Sequence, residues 1–153
     1  MTVTGAQRLK AELRRLRTTE RPEVIRALAE ARSHGDLSEN ADYDAAKERQ
    51  GFIEGRIAEI EHKLAGAQVI DPADLDADGR VVFGATVDLR DGQSDTRVTY
   101  QIVGDDEADL KHGKISVSSP IARALIGKSE GDTAEVQAPG GAREYEVLAV
   151  RYG

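Results

Sequence analysis

The apolar residues of the first third of the chain recur every three or four positions, which is the spacing of one face of an α-helix. The stripe begins at Leu9 and Leu13 and resumes at Val24 and Leu28. Thr4 followed by Gln7 is typical of a capping box and predicts the start of this helix. Pro22 interrupts the run, and because proline has no N–H and crowds the preceding turn, we expect a kink or a new helix start there.

His34-Gly35 is a stop signal that ends the first helix, and a second helix is predicted from Asn40 to about Ala65. A short connection joins the two helices. Two narrow apolar stripes joined by a short connection bury each other as an antiparallel hairpin. The alternative is a pair of helices within a compact bundle, which needs a third apolar surface that no further long helix provides. The stripe of the second helix consists of Tyr43, Ala46, Gln50, Ile53, Ile57, Ile60 and Leu64.

After Asp71-Pro72 the pattern changes to short segments rich in Val, Ile, Thr and Tyr, which predict β-strands. Ser119 as a cap, Pro120 in the first turn and Gly127 as a stop predict one short helix among them. The fold class is therefore α+β, with a helical hairpin over residues 1–75 and an antiparallel β domain with one short helix over residues 76–153. The predicted strands are Arg80–Arg90, Arg97–Val103, Lys114–Ser118, Thr133–Gln137 and Ala142–Arg151.

Composition excludes several classes of protein. The 153 residues contain no Cys, so disulfide frameworks, thiolate metal sites and thiol nucleophiles are excluded. The net charge of −7 and the aromatic fraction of 4% argue against nucleic-acid binding by bulk charge or by base stacking. No apolar run has the length of a membrane span, and the first residues lack the apolar core of a signal peptide. We therefore expect a cytoplasmic protein that does not contact membranes.

Charge is distributed unevenly over the two predicted helices. Residues 4–34 carry eight basic and four acidic side chains, whereas residues 36–75 carry ten acidic and four basic ones. This asymmetry favours pairing of the first helix with the second over self-association of like helices, so we expect a monomer. Most of these charges are also compatible with a solvated surface that has no specific partner.

The connection between the helices holds two carboxylates, Asp36 and Glu39. A helix of about 29 residues rises about 43 Å, so the hairpin would carry this connection far from the β domain. The pair is compatible with Mg²⁺ ligation or general-base chemistry, and equally with a role in capping the second helix. Alone, two solvated carboxylates cannot complete the six oxygen ligands of Mg²⁺.

Other motifs do not indicate a self-sufficient enzyme. Gly127-Lys128-Ser129 resembles the end of a phosphate-binding loop, but Ala122 occupies the position of its first glycine and the motif follows a helix instead of opening one. The histidines at positions 34, 62 and 112 lack the spacing of metal ligands.

Four blocks of sequence resemble bacterial Gre transcript cleavage factors, in the same order and over essentially the whole chain. The tip block runs from Glu30 to Lys47 and includes His-Gly-Asp-Leu-Ser-Glu-Asn, and a second block runs from Ile115 to Gly127. Arg80–Val87 and Ile102–Asp109 also match. The resemblance implies a coiled-coil hairpin, a C-terminal FKBP-like domain and binding to the RNA polymerase elongation complex through its secondary channel.

The same resemblance implies the roles of individual residues. Asp36 and Glu39 match the acidic tip pair, which would help to hold a second Mg²⁺ shared with the polymerase and stimulate cleavage of backtracked RNA near its 3′ end. No cofactor would be tightly bound, and the factor would not be an enzyme itself. Arg32 and Lys47 match basic positions that face RNA, although pairing with Glu30, Asp44 or Glu48 is an alternative role. Ser119 and Pro120 match positions that dock on polymerase.

Two other functions belong to different classes. An antagonist that blocks the same channel would be expected to have altered tip acidity, and the presence of both Asp36 and Glu39 argues against it. A peptidyl-prolyl isomerase would need an aromatic-lined proline pocket, for which the second half of the chain has few aromatic residues and no Trp.

Overall fold

Three α-helices and one π-helical turn make up the first part of the chain in this computed structural model, which describes residues 1–34 and 40–153. Helix α1 spans Val3–Arg15, the π turn spans Leu16–Glu20, and helix α2 spans Arg21–His34. Helix α3 spans Asn40–Gly66. The predicted second helix is thus confirmed, including its first residue.

The interruption expected near Pro22 takes the form of the π turn. The N–H of Arg21 donates to the carbonyl of Leu16, five residues back, and the backbone at both Arg15 and Arg21 is right-handed helical. The interval from Leu16 to Val24 is one residue longer than a heptad, and a π turn absorbs one extra residue. Both side chains therefore stay on the buried face although proline removes a backbone donor.

The two apolar stripes bury each other, as the sequence predicts. Ion pairs across the helices show that the hairpin is antiparallel, because Arg17 binds Glu61 and Arg21 binds Glu54. Leu9, Leu13 and Leu64 are partly buried against the core. The core of the hairpin consists of Leu16, Val24, Ile53, Ile57 and Ile60.

The second part of the chain forms one five-stranded sheet in the order β3-β2-β1-β5-β4. The α+β class is confirmed, and the sheet is antiparallel except for the β2–β3 pair, which is parallel. The strands are β1 Ala85–Asp91, β2 Arg97–Val103, β3 Lys114–Ser116, β4 Thr133–Ala138 and β5 Gly141–Tyr152.

Strand β1 begins five residues later than predicted because the chain turns at Gly84. The φ angle of Gly84 is +88°, a left-handed conformation that glycine adopts without a steric penalty. The N–H of Ala85 donates to the carbonyl of Val82 across this turn, at 3.1 Å. Inward residues then alternate along β1 at Ala85, Val87 and Leu89, all fully buried.

Helix α4, Pro120–Leu125, covers the sheet with the fully buried side chains of Ala122 and Leu125. Its predicted start and stop are confirmed. Gly127 ends it with a φ of +89° and donates its N–H to the carbonyl of Val81 at 2.9 Å. This geometry also shows that the Gly127-Lys128-Ser129 segment closes a helix, so it does not cradle a phosphate at a helix start.

The N-terminal segment is held against the β domain by Thr2 and Glu107. The Thr2 N–H donates to Glu107 Oε1 at 2.7 Å and the Thr2 hydroxyl donates to Glu107 Oε2, while the Gly5 N–H donates to the same hydroxyl at 3.1 Å. Thr2 is therefore the cap of α1, and the predicted capping box at Thr4 is wrong because Thr4 lies inside the helix. Backbone bonds of Ile70 to Met1 and Val3 hold the same segment.

By contacts the chain divides into two compact units. The β unit comprises Met1–Gly5 and Gln68–Gly153, and the helical unit comprises Ala6–Ala67. The domain boundary between residues 75 and 76 stays a prediction. Contacts group the first five residues with the β unit. Within residues 1–34 and 40–153, no helix combines the length and the apolar character needed to span a bilayer.

Candidate functional site

The two acidic candidates lie outside the described part of the chain. Asp36 and Glu39 both fall within residues 35–39, between the last residue of α2, His34, and the first residue of α3, Asn40. Their proposed chemistry stays a prediction. In the described residues, no group of three or more His, Cys, Asp or Glu side chains is arranged to hold a metal ion.

The basic candidate Arg32 lies near the end of α2 and reaches across to α3. Its guanidinium carbon is 5.5 Å from the centroid of the Tyr43 ring, and its Nη2 donates to the Tyr43 hydroxyl at 3.2 Å. Among the described residues Arg32 therefore contacts an aromatic ring, and an ion pair with Glu30 is not formed. The hydrogen bond to the Tyr43 hydroxyl raises the pKa of Arg32.

The second basic candidate, Lys47, lies one helical turn beyond Tyr43 on α3. Its ammonium is 3.5 Å from Gln50 Oε1, which is a long and weak contact. Both cations act on the same tyrosine: the hydrogen bond and charge of Arg32 lower the pKa of Tyr43, and Lys47 adds a smaller effect in the same direction. Arg32 thus contacts the Tyr43 ring directly, whereas Lys47 acts on the tyrosine through its charge alone.

Sequence reasoning places Tyr43 in the apolar stripe and misses its role as the partner of Arg32. The signal was available in the hairpin itself. The pair Arg32–Tyr43 and the pair Arg21–Glu54 have the same midpoint in sequence, and this midpoint falls within the connection between the helices. In an antiparallel hairpin, residues at such matched positions face each other.

The predicted pairing of basic and acidic side chains between the helices is observed, and it runs in both directions. Arg21 makes a two-pronged bond to Glu54, at 2.7 and 2.8 Å, which lowers the pKa of Glu54. In the reverse sense, Arg56 of α3 makes a two-pronged bond to Glu12 of α1, at 2.9 and 2.7 Å. Two-pronged bonds attract the two helices to each other, and their geometry also fixes the axial register of one helix against the other.

The docking candidates Ser119 and Pro120 have local structural roles. The Ser119 hydroxyl accepts from the Ala122 N–H at 3.3 Å and donates to the carbonyl of Ser116 at 2.7 Å, which caps α4. Pro120 follows in the first turn, where its missing N–H costs nothing, and its side chain is exposed. The cap holds this exposed proline in one conformation at the surface of the β unit.

Sequence reasoning did not find the polar cluster next to this cap. The Ser116 and Ser118 hydroxyls both donate to Asp105 Oδ1, the latter at 2.6 Å. These bonds, followed by the charge of Arg123, lower the pKa of Asp105. The cluster ties the segment before α4 to the short helical turn Asp105–Glu107, and sequence gives no signal for it because the partners come from separate segments.

Family models match both parts of the chain. A model described as "Transcription elongation factor, N-terminal" matches residues 1–69, and one described as "Transcription elongation factor, GreA/GreB, C-term" matches residues 76–152. The chain belongs to the GreA/GreB transcription elongation factor family. The family suggested by the four sequence blocks is thereby confirmed.

Individual members of the GreA/GreB family align with nearly the whole chain. "Transcription elongation factor GreA" of Ralstonia nicotianae is 76% identical over 99% of this chain and 96% of the relative. The proteins of that name from Verminephrobacter eiseniae and Neisseria meningitidis serogroup A are 70% and 68% identical over the same shares. Among solved structures, GreA factor homolog 1 (Gfh1) of Thermus thermophilus is 32% identical over 99% of this chain and 97% of that chain, with a TM-score of 0.44.

Proposed function

We propose that this protein binds RNA polymerase and stimulates the polymerase to cleave backtracked RNA, without being an enzyme itself. The observation that carries the proposal is the full-length identity of up to 76% to proteins named transcription elongation factor GreA, in a chain that has Asp36 and Glu39 between two paired helices. The antiparallel hairpin is suited to this task because its connecting residues come at the end of two long, mutually buried helices.

The two carboxylates are the chemical contribution of this chain in the proposal. Two carboxylates are too few to hold Mg²⁺ alone, and Mg²⁺ is usually bound by one or two carboxylates together with substrate phosphates. Asp36 and Glu39 would supply such ligands in a site whose other ligands belong to the polymerase and the RNA. An ion bound there would stabilise the attacking water and the leaving oxygen together.

The remaining candidates bind and orient in this proposal. Arg32 and Lys47 place two positive charges near the acidic connection, where they would contact RNA phosphates and offset the repulsion between RNA and carboxylates. Ser119 and Pro120 would dock on the polymerase, with the cap presenting the exposed proline. Net charge supports this division of roles, since a chain with a charge of −7 has little affinity of its own for nucleic acid.

The test is cleavage of RNA in stalled, backtracked polymerase complexes after addition of the protein. We expect the wild type to shorten the RNA from its 3′ end, and Asp36→Asn to lower the cleavage rate by about 10- to 100-fold, because it removes a charged metal ligand at unchanged shape. Glu39→Gln is the matched variant. Competition against labelled wild-type protein measures binding of each variant to polymerase and should be unchanged.

Docking is measured in the same assays. Ser119→Asn keeps a side chain that caps helices well, and Pro120→Ser keeps a surface residue of small size. We expect both variants to weaken binding to polymerase while thermal unfolding stays unchanged.

Equal cleavage by wild type and Asp36→Asn would contradict the role of the tip, and suppression of elongation without cleavage would favour the antagonist.

A further inference from the structure

Tyr43 is the described residue that joins α2 to α3 closest to the connection between them. Its ring carries the Arg32 guanidinium at 5.5 Å, and its hydroxyl accepts from Arg32 Nη2 at 3.2 Å. Both contacts are made by the same guanidinium, so the arginine is held by the face of the ring and by its polar end together. Such a double contact fixes the orientation of the guanidinium plane as well as its position.

Arg32 needs such a partner to act at a defined place. It is exposed, and a free arginine side chain has many rotamers whose loss on ligand binding weakens that binding. Without Tyr43 the Arg32 side chain would lose this rotamer freedom each time it bound an anion. With Tyr43 the ordering is present in the free protein.

Lys47 lies on the same side of α3 as Tyr43, because residues four apart share one helix face. Lys47 is exposed and makes a long, weak contact with Gln50, and its charge lowers the pKa of Tyr43 as that of Arg32 does, to a smaller extent. Arg32 thus reaches Tyr43 from α2, and Lys47 lies one helical turn from the same tyrosine on α3. Two cations contributed by the two helices next to one tyrosine are suited to a doubly contacted phosphate.

We propose that Tyr43 is a positioning residue, which holds the Arg32 guanidinium beside Lys47 so that the two cations bind an RNA phosphate together. The inference rests on the proposed function and extends it to a residue that does not itself contact the phosphate. A purely structural alternative is that the Arg32–Tyr43 contact only fastens the end of the hairpin. The two roles differ in their effects, because fastening acts through stability and positioning acts through Arg32.

The experiment compares Tyr43→Phe and Tyr43→Leu in the cleavage assay over a range of factor concentrations. Phenylalanine keeps the ring face, and leucine keeps apolar bulk but removes both contacts. We expect Tyr43→Leu to raise the concentration needed for half-maximal cleavage by about threefold to tenfold. The value for Tyr43→Phe should lie much closer to that of the wild type, because the ring face is kept. Arg32→Ala removes the positioned cation, and Arg26→Ala, the loss of another exposed arginine of α2, is its charge-matched control and should have little effect.

A double-mutant cycle decides whether the tyrosine acts through the arginine. In the Arg32→Ala background, Tyr43→Leu should change the half-maximal concentration by less than about twofold, because the group it positions is already gone. In the free protein, NMR should show that the ring-current shift of the Arg32 δ protons is present in wild type and Tyr43→Phe and lost in Tyr43→Leu. Thermal unfolding of all variants shows whether they keep the hairpin.

Several results would overturn the inference. The tyrosine does not act through the arginine if the double variant shows the product of the two single losses. The same conclusion follows if Arg32→Ala or Tyr43→Leu alone leaves the half-maximal concentration of the factor unchanged. A Tyr43→Leu defect that tracks lost thermal stability, with no recovery in Tyr43→Phe, would show a structural role. Failure of the proposed function is distinct, since the wild type would then cleave no faster than Asp36→Asn.

Discussion

At the scale of single residues, the cap of α1 is assembled from two distant segments. In an ordinary capping box, a Glu or Gln at the third helical position accepts the N–H of the capping residue. Here that position is Gly5, and the carboxylate of Glu107 takes the role instead. A β-carbon built on Gly5 would overlap the Glu107 carboxyl carbon, so the absence of a side chain makes room for the distant carboxylate.

This arrangement predicts opposite outcomes for glycine substitutions in helices of the same chain. Gly5→Ala should destabilise the β unit by about 1–2 kcal/mol, because the new methyl group displaces a carboxylate that satisfies the Thr2 N–H and hydroxyl. Gly51→Ala and Gly55→Ala, whose β-carbons meet no atom within 4 Å, should stabilise the helical unit by about 0.5–1 kcal/mol each. Urea unfolding of the three variants measures the differences, and a stabilising Gly5→Ala would contradict the role of Glu107.

Sequence reasoning predicts residues whose partners are close in the chain and misses those whose partners are far away. The cap of α4 was predictable because Ser119 and Ala122 lie three residues apart. The cap of α1 was not, because a threonine and a glutamate that are 105 positions apart leave no periodic signal. Tyr43 lies between these cases, since its partner follows from the hairpin register once the hairpin itself is predicted.

At the scale of elements, the π turn reconciles a proline with a continuous apolar stripe. The sequence shows both the interruption at Pro22 and the resumed stripe at Val24, but helical periodicity assumes an unbroken α-helix. The turn Leu16–Glu20 adds one residue and keeps Leu16 and Val24 in the same buried cluster. The π turn therefore determines whether the side chains before it and those after it lie on the same face of the helix.

Changing the number of residues in the turn should affect stability according to helical phase. One alanine inserted after Thr19 rotates the preceding segment by about 100° relative to α2 and should turn Leu16 out of the core, at a cost of about 2–4 kcal/mol. Deleting Thr19 while replacing Pro22 with alanine should restore an ordinary α-helix in the same phase and cost less than about 1 kcal/mol. Guanidinium unfolding followed by circular dichroism compares the two, and equal losses would show that phase is not set at this turn.

At the scale of the whole molecule, the fold class followed from two periodicities in the sequence, and the topology did not. The change from a spacing of three and four to short alternating segments marks the two parts of the chain. Strand order depends on side chains that meet only after folding, so the parallel pairing of β2 with β3 and the place of β5 beside β1 had no local signal. The start of β1 was missed because Gly84 permits extended and left-handed conformations alike.

The division into two contact units predicts two separate unfolding transitions. Ile57→Ala removes a buried side chain of the helical unit and should lower its stability by about 2–5 kcal/mol, and Val87→Ala should lower that of the β unit by a smaller amount. Native-state hydrogen exchange should show lost protection at amides of residues 6–67 in the first variant and of residues 85–152 in the second. An equal loss over the whole chain in both variants would show one cooperative unit.

The anchoring of the first residues by later ones has a consequence for synthesis on the ribosome. Met1, Thr2 and Val3 precede the hairpin along the chain, but their partners Ile70 and Glu107 are made only after it, and β5 follows the other four strands of the sheet. The helical pairing is complete in sequence by Gly66, whereas β1 lacks one of its two neighbours until Tyr152 has been added. Translation therefore delivers the hairpin before the β sheet, and residues 1–3 take their final place only after their partners have been made.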